Sequence, residues 1–119
     1  MKHFDLQVNG YAGTDFCSMD LTGEQLNTAC VALEADGVDC ILATVITDSM
    51  ERLRLKLANL IHLREQDPLA QKIIAGIHIE GPYLNPAPGF IGAHPAEAVK
   101  LANVDETKRL LEAAGGLTR

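Results

Sequence analysis

The feature that most limits what this 119-residue chain can fold into is a repeated switch of hydrophobic period. Phe4, Leu6 and Val8 alternate with Asp5, Gln7 and Asn9, the pattern of a strand with two unlike faces. After a Gly-containing loop comes "TGEQLNTACVALEADG". There Thr22 and Gln25 fit a capping box, Leu26, Ala29, Cys30 and Leu33 share one helical face, and Gly37 suits the stop. "CILATVI" is short and apolar throughout, as a strand covered on both faces must be. Asp48 and Glu51 open a second helix with a stripe of Met50, Leu53, Leu57, Leu60 and Ile61, and Asp67-Pro68 ends it. "KIIAGIHIE" reads as a third strand, followed by a long Pro/Gly loop. The predicted elements are strands near 4–9, 40–46 and 72–80 and helices near 22–37, 49–66, 95–102 and 105–114, in one domain over 1–119.

Strands and helices alternating at this spacing imply βαβ crossovers and a parallel α/β sheet. In such sheets chemistry collects at the carboxyl ends of the strands. The first strand ends in Gln7, Asn9 and Gly10, the second offers Thr44 and Thr47, and the third offers His78, Glu80 and Gly81. Residues two apart share a face, so Gln7 pairs with Asn9 and His78 with Glu80. If the sheet curls into a barrel, a Gln, an Asn and a Glu converge at its mouth. A carboxylate surrounded by neutral amides lacks a counter-charge, and a metal ion such as Zn²⁺ is one remedy. Blander readings stand beside this one. Glu80 can cap the next turn, Gln7 and Asn9 can be strand-end and turn residues, His78 can be a packed interior histidine, and His94 can be an exposed helix-start residue before Pro95.

Composition narrows the function classes. A formal charge of −6, with no Lys/Arg cluster, argues against a nucleic-acid partner and against anionic membranes. No apolar run reaches the length of a membrane helix, and no signal-peptide core follows Met1, so a cytoplasmic protein is expected. Cys17, Cys30 and Cys40 form no CxxC pair and are read as reduced, small core residues.

"DLQVNGYAG" and "GIHIEGPYLNPAPGFIGAHPAE" resemble the two N-terminal signatures of the N-acetylglucosamine-6-phosphate deacetylase family, metal-dependent (β/α)₈ TIM barrels of the amidohydrolase superfamily. The resemblance runs from Phe4 to about Ala114 and includes "ATVITDS". It implies that Glu80 binds a metal. Gln7 and Asn9 stand where many amidohydrolases carry an H-x-H pair, a pattern of single-metal members, which implies one divalent ion, Zn²⁺, with these amides near its water. Ala93 and His94 match the substrate-contacting segment. The implied reaction hydrolyses the acetamide of N-acetylglucosamine 6-phosphate to glucosamine 6-phosphate and acetate.

By the same resemblance, the remaining metal ligands are two histidines and the general acid/base is an aspartate, all expected beyond Arg119. No catalytic residue is therefore expected within the chain. About three of eight βα units are expected, a partial barrel inactive alone whose open inner face invites self-association. Two alternatives stay open: a piece of another amidohydrolase acting on cyclic amides, and a non-catalytic, self-associating βα module.

Overall fold

Three parallel strands form the frame, and the computed structural model describes them within residues 3–119; the first two residues of the expected 1–119 domain lie outside the described residues. Strand β1 spans His3–Val8, a short antiparallel ribbon follows as β2 (Gly10–Tyr11) and β3 (Thr14–Asp15), and helix α1 covers Gly23–Ala35. Strand β4 (Val38–Ile46), helices α2 (Met50–Gln66) and α3 (Pro68–Ile73), strand β5 (Ile74–Glu80) and helix α4 (Val104–Ala113) complete the chain. The sheet order is β1-β4-β5, with both pairings parallel.

The capping box is present at α1: Thr22 Oγ1 accepts from the Gln25 amide, and Gln25 Oε1 accepts from the Thr22 amide. Leu26, Ala29, Cys30 and Leu33 are the buried face of that helix, and Leu53, Leu57, Leu60 and Ile61 lie on that of α2. They pack with Ile41, Ala43 and Val45 of β4 and Ile74 and Ile77 of β5 in one core. In-register partners in a parallel pair share a face, so Ala43 with Ile77 and Val45 with Ile79 point to the helices. Thr44 with His78 and Ile46 with Glu80 point the other way. All three cysteines are free, and burial pushes the Cys30 thiol up to about 12.

Three expectations need correction. The third strand starts at Ile74, not Lys72, because Asp67-Pro68 does more than stop α2. Asp67 Oδ1 accepts from the Leu69 and Ala70 amides and Pro68 stands at the first helical position, so the pair starts α3. The helix expected at 95–102 is absent. Only a single turn forms there (Ala98 N–H to Pro95 O, 3.0 Å), and the Lys100 N–H donates to Pro82 O at 3.0 Å, which takes it out of any i→i−4 ladder. The expected loop after β1 contains the β2–β3 ribbon, turned by Ala12 and Gly13, both at positive φ. At the carboxyl end, Thr118 makes a parallel bridge to Ile77 on the far side of β5, with Ile77 N–H to Leu117 O at 2.8 Å.

Immediately after β4, Asp48 accepts from the buried Lys56 Nζ at 2.7 Å and from Arg52 Nε at 2.9 Å. Burial alone would raise the Asp48 carboxyl, but the hydrogen bonds from Lys56, Arg52 and the Ser49 amide outweigh it and hold the pKa at about 2. A carboxyl depressed in the folded state stabilises the fold above its unfolded pKa, and the benefit is lost as pH falls through the folded value. We expect about 2 kcal/mol of stability to drain away between about pH 4 and pH 2. Asp48→Asn should flatten that limb in urea unfolding at stepped pH while lowering stability at neutral pH, because it strands the Lys56 charge. An unchanged acid limb in the variant would show that other carboxyls control it.

Candidate active site

The carboxyl ends of β1, β4 and β5 lie side by side, and the loop after β5 folds back over them. Glu80 ends β5 and points to the face opposite the helices. Its Oε2 accepts from Gln7 Nε2 at 2.9 Å, and its Oε1 lies 3.3 Å from His94 Nε2. The other ring nitrogen of His94 meets Thr47 Oγ1 at 2.8 Å, and the same hydroxyl donates to the Glu80 backbone oxygen at 3.2 Å. Gln7 thus reaches across β4 to a residue 73 positions away. A register shift between Asp5 and Val8 interrupts β1 here, so simple two-residue alternation does not by itself explain where Gln7 points.

Gln7, Glu80 and His94 line an open cleft of about 490 Å³ together with Asn9, Ile46, Ala93 and the 90–92 segment, whereas the buried Thr47 does not reach it. Every residue singled out for metal or substrate in the sequence therefore borders one space: Gln7, Asn9, Glu80, Ala93 and His94. Its volume falls within the usual range for small-molecule sites. His78 is not among the lining residues. It sits one pair deeper on the same face, half-buried, where its Nδ1 meets Thr44 Oγ1 at 3.2 Å.

Two features were not legible beforehand. Thr47, 3% exposed, links Glu80 to His94, and its only sequence signal was a place at the end of β4. Phe90, Ile91 and Gly92 form part of the cleft wall, and they lie in a loop without periodicity.

A catalytic zinc ion needs more protein donors than these residues bring together. Among the described residues no group of three or more His, Cys, Asp or Glu could hold a metal ion. Glu80 supplies a carboxylate, His94 an imidazole and Gln7 a neutral amide, which falls short of the three protein donors of a catalytic zinc centre. Within this chain alone the set fits one ligand of such a centre and does not complete it.

No family model matches the chain. It is 30% identical over 117 residues to the N-acetylglucosamine-6-phosphate deacetylase of Bacillus subtilis (strain 168), and 31% identical over 102 residues to that of Vibrio furnissii. The crystal structure of the Mycobacterium smegmatis enzyme superimposes with a TM-score of 0.81 at 27% identity, over 98% of this chain and 31% of that one. The chain is a relative of N-acetylglucosamine-6-phosphate deacetylases. It covers 97% of itself but only 28% of the Bacillus protein, and 86% of itself but 24% of the Vibrio protein. A mutant of the Mycobacterium deacetylase in complex with N-acetyl-D-glucosamine-6-phosphate superimposes equally well, with a TM-score of 0.82. The deacetylases thus share the parallel α/β arrangement seen here across a quarter to a third of their length.

Proposed function

We propose that these residues supply the first βα units, about three of eight, of a (β/α)₈ amidohydrolase barrel that deacetylates N-acetylglucosamine 6-phosphate. The observation that carries this reading is the meeting of Gln7, Glu80 and His94 at the carboxyl ends of parallel strands, in a chain whose relatives are deacetylases. Glu80 would hold one divalent ion, Zn²⁺, together with two histidines from later strands of the barrel, where an aspartate would serve as the general acid/base. Such an ion, when bound, polarises the amide carbonyl and makes water a better nucleophile. Gln7 holds Glu80 Oε2 in place through its amide, Asn9 borders the same space, and Ala93 with His94 would contact the sugar. On this reading the chain alone would lack the groups for turnover.

Among the described residues no helix is long and apolar enough to cross a membrane, and the free thiols at Cys17, Cys30 and Cys40 suit a cytoplasmic enzyme. On edge strand β1 Phe4 is 53% and Leu6 62% exposed, which favours self-association of the isolated chain.

The isolated chain should release no acetate from the phosphorylated amino sugar. Grafted in place of the matching segment of the Bacillus relative, it should restore zinc-dependent release, and Glu80→Gln should cut that rate by at least about 100-fold. A graft whose Glu80→Gln form worked undiminished would remove Glu80 from the metal site. Light scattering on the isolated chain should read more than one copy, and a monomer at high concentration would remove the association.

A further inference from the structure

The lining of the cleft divides by chemistry: Gln7, Glu80 and His94 are polar, while Ile46, Phe90 and Ile91 are apolar. Among the described residues no Lys or Arg lines it, so this wall offers no fixed positive charge to a phosphate. What it suits is a neutral group with a polar rim and an apolar face. Phe90 is the unusual member. Of the chain's three phenylalanines and two tyrosines it is the most exposed, at 75%, against 53% for Phe4 and 1% for Phe16. Apolar area left in water is stabilisation forgone. The backbone nevertheless holds it there. The Phe90 and Ile91 amides both donate to Ala87 O, at 3.0 and 3.2 Å, and the His94 amide donates to Ile91 O at 3.3 Å, which ties Phe90 to His94 through two successive turns. Gly89 and Gly92 flank the pair at φ +86° and +59°, and a Cβ on either would meet nothing within 4 Å, so the path of the chain and not packing requires glycine. A loop bent to keep an aromatic ring in water at the edge of a cleft suits a ligand that covers that ring.

We propose that Phe90 is a specificity-determining residue: its ring is the platform on which the apolar C–H face of the substrate's pyranose ring rests. A pyranose carries hydroxyls around its rim and C–H groups on its faces, and those slightly positive hydrogens suit the negative face of an aromatic ring. Stacked in this way, the sugar keeps its rim free for the polar residues of the wall. The contact uses neither the acetyl methyl nor the phosphate, so it favours a ring-bearing amide over a simple acetamide. The exposed platform stands on this chain's geometry alone, and the choice of an amino sugar to cover it rests on the deacetylase reading.

The 119-residue chain, with its phenylalanine rings ¹³C-labelled, is titrated with N-acetylglucosamine. The Phe90 ring signals, assigned by their loss in Phe90→Leu, should shift with a millimolar dissociation constant. Those of Phe4 and Phe16, which do not line the cleft, should stay in place. N-acetylglucosamine 6-phosphate should move Phe90 alike, and N-methylacetamide should leave it unmoved. Followed through the Ala93 amide signal, Phe90→Ala should weaken sugar binding about tenfold and Phe90→Trp should keep it. Both variants change an exposed side chain and leave the core untouched. No Phe90 shift with either sugar, a shift with the 6-phosphate alone, an equal shift with N-methylacetamide, or undiminished binding by Phe90→Ala overturns the proposal. Nothing is turned over in this experiment, so an absent Phe90 shift leaves the Glu80 rate test standing, and a graft without deacetylase activity leaves the Phe90 result standing.

Discussion

Gly81→Ala is expected to destabilise the chain by about 3 kcal/mol and to dislodge His94 from the cleft wall. Gly81 sits at φ +90°, on the side of backbone space that L side chains rarely adopt, so an added Cβ carries strain on its own account. The new atom would also lie 1.9 Å from Thr47 Oγ1 and 3.1 Å from Thr47 Cβ, and it is the hydroxyl that must leave. Moving it breaks the bonds to the Glu80 carbonyl and to His94 Nδ1, each worth about 1 kcal/mol. Two effects are therefore combined, and a double-mutant cycle separates them. In a Thr47→Ala background the two hydrogen bonds are already gone, and Gly81→Ala should then cost only its backbone strain and the tight 3.1 Å contact with the remaining Cβ. Equal costs in both backgrounds, measured by urea unfolding, would show that the Thr47 hydroxyl does not feel position 81.

This coupling also shows what could be read from residues in a row and what could not. The strand and helix cores were legible because each repeats a period: the unbroken apolar run at Cys40–Ile46, the α1 stripe of Leu26, Ala29, Cys30 and Leu33, and the Thr22–Gln25 cap. The neighbourhood of Glu80 was legible through the rule that parallel sheets work at their carboxyl ends, and Gln7 does meet Glu80 there. What escaped notice depends on partners far apart in sequence. The helix expected at 95–102 is dissolved by the Lys100 amide turning to Pro82 O, a contact no local pattern announces. Asp67-Pro68 carries two opposite signals, a stop for α2 and a start for α3, and only packing selects both. Thr47 is marked in the sequence only as a strand-end candidate after β4, because its partners, Glu80 and His94, lie 33 and 47 positions away.

Leu57→Ala should produce a loss of a different kind, about 3 kcal/mol of stability and a fall of about 10 °C in the unfolding midpoint, without altering the cleft. Leu57 is fully buried on α2, in the core formed by the helices and the Ile41, Ala43, Val45 and Ile77 face of the sheet. Truncation leaves a void that close-packed neighbours fill only in part. The control is Leu111→Ala on α4, where the side chain is 43% exposed and the change should stay within about 0.5 kcal/mol. Glu80, Thr44 and His78 lie on the other face of the same strands, and the bonds among Gln7, Glu80, Thr47 and His94 include no atom of Leu57. Below its lowered midpoint, Leu57→Ala should therefore keep the wild-type His94 ring resonances, whereas Gly81→Ala, by displacing the Thr47 hydroxyl, should shift them at any temperature. If the Leu57 variant shifted the His94 ring resonances while still folded, the two faces of the sheet would have to be treated as one mechanical unit, and the site could no longer be described by its own hydrogen bonds.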